Sequence, residues 1–149
     1  MIILDTKKEY ENHIDLLKSK GEIISLVPTM GNLHDGHLSL IEIAKKNSSK
    51  VVTTIFVNPL QFGKNEDYHK YPRTEDTDIQ KLIKEKCDIL FIPTNKDEVF
   101  PKYEKLKKIE TGKLGDELCG KVRPGHFNGV LTVVNKIFVS LNPDGDIFC

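Results

Sequence analysis

The 149-residue chain carries 22 Lys and Arg against 22 Asp and Glu, a formal net charge of zero. That balance argues against a nucleic-acid binder driven by phosphate neutralisation, and no apolar run approaches the length of a membrane helix. Cys87, Cys119 and Cys149 are odd in number and lack C-x-x-C spacing, as expected of reduced thiols in a cytoplasm. A chain of this size buries about 68–70% of its unfolded surface, enough for one self-sufficient domain.

Met1-Ile2-Ile3-Leu4 is followed at once by Asp5 and Lys7, which does not make a secretory leader. Thr6-Lys7-Lys8-Glu9 has the capping-box form, with Tyr10, Ile14 and Leu17 at helical spacing up to Gly21, a suitable C′ residue. Glu22–Val27 is apolar and β-branched, the pattern of a strand buried on both faces. A helix is expected from near Gly36 to Asn47, then a strand over Val51–Val57. Strand, helix and strand in that order form a βαβ unit with parallel strands and a right-handed crossover.

Asn58-Pro59-Leu60-Gln61-Phe62-Gly63 reads as a loop, and a connection through Asp67, Tyr68, Tyr71, Pro72 and Arg73 leads to Thr74, the expected cap of a helix. Glu75, Asp76 and Asp78 in its first turn and Lys84 and Lys86 in its last suit the helix dipole. Ile79, Leu82 and Ile83 are its expected buried face. Asp88–Ile92 is a third strand, closing a second βαβ unit. Leu106 and Ile109 suggest a short strand, and Leu114 and Leu118 a short helix. Val122–Phe127 reads as a loop ahead of Val130, Val133, Val134, Ile137 and Leu141. Their β-branched composition favours a strand, but the helical period decides for a helix. Asn142–Gly145 is a turn and Asp146–Cys149 the start of a fourth strand. The predicted fold is α/β, a doubly wound and mainly parallel sheet, in which ligands bind outside the carboxyl ends of the strands.

Between the first strand and its helix lies Pro28-Thr29-Met30-Gly31-Asn32-Leu33-His34-Asp35-Gly36-His37. Two glycines remove Cβ atoms where phosphates would approach the backbone, and the helix opening points N–H groups and its positive dipole end at the same spot. His34 and His37 add two donors. A zinc-binding pair is the alternative for these histidines, but no Cys, Asp or Glu cluster supplies the remaining ligands at a usual spacing. Of the 22 cationic side chains only Arg73 and Arg123 are arginines, each beside a proline, which hints at a need for planar, bidentate geometry.

Taken together, Pro28–His37, Phe56-Val57-Asn58-Pro59-Leu60-Gln61-Phe62, Tyr71-Pro72-Arg73-Thr74 and Arg123-Pro124-Gly125-His126-Phe127 resemble the pantothenate synthetase (pantoate–β-alanine ligase) family from about residue 20 onward. The resemblance implies a Rossmann-like domain of the His-x-Gly-His type spanning residues 1–149, matching the family's first half. The family's lid domain, and the Gly-Glu-Lys-Asp loop expected at and beyond Cys149, would follow. On that ground this chain alone is expected to fold but to turn over feebly. The resemblance further implies ATP binding by Pro28, Thr29, Met30, Gly31, Asn32, Leu33, His34, Asp35, Gly36 and His37. His37 would be the proton donor and His34 a second phosphate contact. Gln61, Asn58, Arg123 and His126 would serve pantoate and β-alanine. Tyr71 is open between a site role and packing, and Arg73 between a site role and an ion pair. Mg²⁺, a homodimer and a cytoplasmic location are implied with them. A non-condensing nucleotidyltransferase and a nucleotide-binding module without turnover are the alternatives.

Overall fold

The Thr6 hydroxyl accepts a hydrogen bond from the Glu9 N–H at 3.3 Å and so caps α1 (Lys7–Ser19); the Glu9 carboxylate accepts from the same hydroxyl at 2.9 Å, in place of the backbone N–H that a full capping box would use. Gly21 follows in the left-handed conformation at φ 78°. The computed structural model describes residues 1–63, 68–101, 109–117 and 119–148. The expectations placed on Asp67, Leu106, Leu118 and Cys149 lie outside the described residues.

Among the described residues five parallel strands form one sheet in the order β1-β4-β3-β2-β5: β1 (Ile2–Leu4), β2 (Ile24–Thr29), β3 (Lys50–Ile55), β4 (Ile89–Phe91) and β5 (Gly145–Asp146). The helices are α1, α2 (Asp35–Asn47), α3 (Glu75–Lys84), the four-residue α4 (Cys119–Val122) and α5 (His126–Leu141). One core joins Tyr10 and Ile14 of α1 and Val133, Ile137 and Leu141 of α5 to Leu26, Val52 and Phe91 on one face of the sheet. The other joins Leu40, Ile41 and Ala44 of α2 and Leu82 of α3 to Val27, Val51 and Leu90 on the opposite face. Helices on both faces of a parallel sheet make the fold doubly wound, as predicted.

Several boundaries differ from the sequence reading. β1 is an added edge strand, too short at three residues to show a period. β2 begins two residues later than expected, because the Ile23 N–H donates to the Ser49 hydroxyl at 2.9 Å instead of to a strand. It also runs on through Pro28. The residue lacks an N–H, yet the even-numbered residues of β2 turn toward β5, which pairs only at Ser25 and Leu26. The predicted fourth strand is shorter, ending at Asp146, with one further bond from the Ile147 N–H to the Leu26 carbonyl at 2.9 Å. On α3, Ile83 is 50% exposed and Asp78 is fully buried, the reverse of the expected face. Thr74 makes no side-chain cap; its hydroxyl donates to Asp78. The β-branched run after Val130 is helical, as its period required.

Candidate active site

The β2–α2 loop is built around Asp78, which reaches up from α3. Its carboxylate accepts from the Asn32 N–H and the Leu33 N–H, each at 2.8 Å, and from the Thr74 hydroxyl at 3.0 Å. The Lys81 ammonium donates to the Leu33 carbonyl from the next turn of the same helix. Gly31 passes the carboxylate at φ 80°, and a Cβ there would stand 3.2 Å from Asp78 Oδ2 and 3.1 Å from Ile55 Cγ2. The glycine is needed for its backbone conformation and for this close passage. Thr29 pins the loop's entry, its hydroxyl donating to the Thr54 carbonyl at 2.7 Å and accepting from the Gly31 N–H at 3.1 Å.

His34 is the N-cap of α2. Its Nδ1 accepts from the Gly36 N–H at 3.1 Å, and His37 Nδ1 accepts from the His34 N–H at 3.4 Å, a capping box made of two imidazoles. The ring centroids lie 4.1 Å apart. Gly36 therefore serves the protein first: a Cβ would sit 2.9 Å from His34 Cε1, so the glycine makes room for the ring that caps the helix. Of the N–H groups expected at the helix opening, that of Gly36 is taken by His34. With Nδ1 accepting on both rings, the ring hydrogen of each neutral imidazole lies on Nε2.

Burial, above all, lowers the pKa of His37 below its usual 6.5; His34 beside it lowers it further and Asp78 opposes both. The positive end of the α2 dipole disfavours the imidazolium in the same direction. Because the folded value lies below the unfolded one, the neutral ring's stabilisation is whole above about pH 6.5 and is lost as the pH falls through the folded value. NMR titration should place the His37 midpoint below the usual 6.5. A midpoint at or above about 6.5 would contradict the burial argument.

The second element is the one-turn 3₁₀ helix Pro59–Gln61 beyond β3. Asn58 caps it, Oδ1 accepting from the Leu60 N–H at 3.1 Å, while Nδ2 donates to Gln61 Oε1 at 3.1 Å and to the Gly129 carbonyl at 3.2 Å. Asn58 is 1% exposed with both amide hydrogens engaged, so it holds Gln61 in place from beneath. The Gln61 amide nitrogen lies 2.8 Å from Met30 Sδ, which brings this turn against the β2–α2 loop. Behind it, Arg123 NH1 lies 3.1 Å from His126 Nε2, and His126 Nδ1 lies 2.8 Å from the Gln61 carbonyl. Arginine only donates, so His126 Nε2 accepts and Nδ1–H donates to Gln61. The β2–α2 loop, the Gln61 turn and the Arg123–His126 segment thus meet.

Arg73 instead clamps its own loop. Its NH1 donates to the carbonyls of His69 at 3.2 Å and Tyr71 at 3.1 Å, and its guanidinium lies 5.3 Å from the Tyr68 ring centre. Tyr71 packs edge-on against Phe62, and burial raises its pKa. A cleft of about 280 Å³ opens where β3 and β4 end, lined by Met30, Gly31, Tyr68, Arg73, Asp78 and Lys96 among others.

The family model for pantoate-beta-alanine ligase matches residues 2–149. The chain belongs to that family. The match starts earlier than residue 20, where the motifs begin, because β1 and α1 are part of it. Pantothenate synthetase of Thermoanaerobacter sp. (strain X514) is 49% identical over 99% of this chain and 52% of its own length. That of Neisseria meningitidis serogroup B (strain ATCC BAA-335 / MC58) is 51% identical over 85% of this chain and 45% of its own. The crystal structure of pantoate-beta-alanine ligase from Francisella tularensis, complexed with beta-gamma ATP and beta-alanine, superposes with a TM-score of 0.85 at 41% identity, covering 98% of this chain and 55% of that one. The crystal structure of pantothenate synthetase from Thermus thermophilus gives 0.83 at 40% identity, covering 98% of this chain and 51% of that one. The chain thus spans about half the length of the relatives it matches.

In this pantoate-beta-alanine ligase family member, sequence reasoning missed two residues of the site. Asp78 was counted with the dipole-favouring acids of α3, although it lies one turn before Leu82, the other buried side chain of that helix. Gly129 in the apolar helix α5 was passed over. Among the described residues no group of three or more His, Cys, Asp or Glu is placed to hold a metal ion, and no helix is long and apolar enough to cross a membrane.

Proposed function

We propose that this chain is the nucleotide- and pantoate-binding half of an ATP-dependent ligase, which condenses pantoate with β-alanine to give pantothenate, AMP and diphosphate. The observation that carries the reading is the meeting of the imidazole-capped α2 loop with the Gln61 turn at Met30. A phosphate-type loop thereby adjoins a neutral donor–acceptor suited to a hydroxy acid.

In this reading a pantoate carboxylate oxygen attacks the α-phosphorus of ATP in line. Diphosphate leaves, and a pantoyl-adenylate remains. The β-alanine amine then attacks the acyl carbon, AMP leaves, and the amine gives up a proton as the amide forms. Charge builds on phosphate oxygens in the first step, where the Pro28–His37 loop would receive it; the Nε2–H groups of His37 and His34 are the donors. Gln61 would orient pantoate, Asn58 would hold Gln61, and Arg123 and His126 would line the substrate side. Mg²⁺ would arrive with the nucleotide, since the described side chains offer no metal cage. A homodimer and a cytoplasmic location complete the proposal.

Incubation of the full-length protein with ATP, pantoate and β-alanine tests it. Pantothenate and AMP in equal amounts support the ligase. A nucleotidyl product would instead identify a non-condensing transferase, and binding without turnover a nucleotide module. Gln61→Ala should raise the KM for pantoate roughly 10–100-fold, the loss of about 1.5–3 kcal/mol expected for a hydrogen bond to a charged group. The KM for ATP should stay within about twofold, because Gln61 follows a different strand from the phosphate loop. Equal loss of both affinities would refute the two-element assignment.

A further inference from the structure

Glycine is a poor helix former, yet Gly129 lies in the first turns of α5, well inside a 16-residue helix. A Cβ at this position would meet the Leu60 carbonyl oxygen at 2.2 Å, the Leu60 carbonyl carbon at 2.6 Å and Gln61 Cα at 2.8 Å. All three atoms belong to backbone, which cannot swing aside as a flexible side chain would. The helix therefore lies directly against the main chain of the turn that presents Gln61.

Three hydrogen bonds turn this contact into a fixture. The Gly129 carbonyl accepts from Asn58 Nδ2, whose other amide hydrogen goes to Gln61 Oε1. One turn earlier on α5, His126 bonds the Gln61 carbonyl. Helix α5 thus grips Gln61 at its backbone directly and at its side chain through Asn58. β3 ends at Ile55, so it does not by itself fix the turn.

We infer that Gly129 is a positioning residue: its missing Cβ seats α5 on the Leu60–Gln61 backbone and so sets where the Gln61 carboxamide points. Its effect on substrate rests on the proposed ligase reading of Gln61. The positioning itself does not.

Gly129→Ala tests both parts in the full-length protein. Heteronuclear NMR should show the Leu60 and Gln61 backbone amides and the Gln61 side-chain amide displaced, with the amides of α2 unmoved. Steady-state kinetics should show the KM for pantoate raised at least about tenfold, with the KM for ATP within about twofold. Asn135→Ala, a change on the exposed side of the same helix, should move neither. If Gly129→Ala does not fold, Asn58→Ser serves instead. It keeps an oxygen to cap Leu60 but removes the amide bridge, and the Gln61 side-chain amide should shift. Unmoved Gln61 resonances in the variant that folds would overturn the inference. Displaced resonances in a protein that makes no pantothenate would uphold it and reject the ligase reading alone.

Discussion

Asp78→Ala is expected to collapse the loop between β2 and α2 and to lower the melting temperature by roughly 5–15 °C. The carboxylate is fully buried and accepts from two backbone N–H groups and one hydroxyl. Alanine leaves the Asn32 and Leu33 donors without their acceptor, and each buried donor stranded in this way costs about 1–3 kcal/mol. The gap left beside Gly31 adds to the loss. Differential scanning calorimetry reads the melting shift, and amide hydrogen exchange at Asn32 and Leu33 reads the loop itself. A change of less than about 2 °C with unchanged protection there would mean that the loop is held by Thr29 and Lys81 without the carboxylate.

Asp78→Asn sharpens the result. Its shape is conserved, but one oxygen becomes an NH₂ group facing either Leu33 N–H or the Asn32 and Thr74 donors. One side of the brace then opposes donor to donor. The variant should lie between alanine and wild type in stability. It should also shift the His37 titration midpoint downward, because Asp78 is the one group that raises that pKa. A purely steric role for Asp78 would leave the midpoint where it was.

The sheet and its helices were legible because each carries its own periodic signal. Tyr10, Ile14 and Leu17 sit on one helical stripe, and Val130 to Leu141 keep a helical period despite β-branched composition. The His loop was legible for a different reason: glycines and histidines are expensive residues between a strand and a helix. What escaped was set by tertiary contact. Asp78 has no local partner within its own helix apart from Thr74; its partners are 45 and 46 residues away. Gly36 was read as making room for a phosphate when its nearest obstacle is the ring of His34. Asn58 was read for the substrate side, and its bonds to Gln61 and Gly129 were not foreseen. In each case the residue type was correctly noticed and its partner was not, since one sequence does not reveal which distant segment packs against it.

On the proposed ligase reading, His37→Ala should lower the rate of adenylate formation by about 10²–10³, the usual cost of removing one preorganised donor to a charge-building oxygen. The argument starts from the ring's two nitrogens. Nδ1 is committed to the His34 N–H, so Nε2–H is the donor left for a phosphate. Burial favours the neutral ring. ATP bound as proposed would bring several negative charges to the same place, which would favour the imidazolium and draw a proton from solvent on binding. Protonation would place hydrogen on Nδ1 and break the bond to the His34 N–H, so the capping box should loosen as the charged donor forms. Pyrophosphate–ATP exchange in the presence of pantoate isolates the first step, and isothermal titration in buffers of different ionisation enthalpy counts the proton. Wild-type protein should take up a proton between about pH 6 and 8, near the reference His range, and His37→Ala should take up less. Exchange reduced about 10²-fold without any difference in uptake would make His37 a neutral hydrogen-bond donor throughout the reaction.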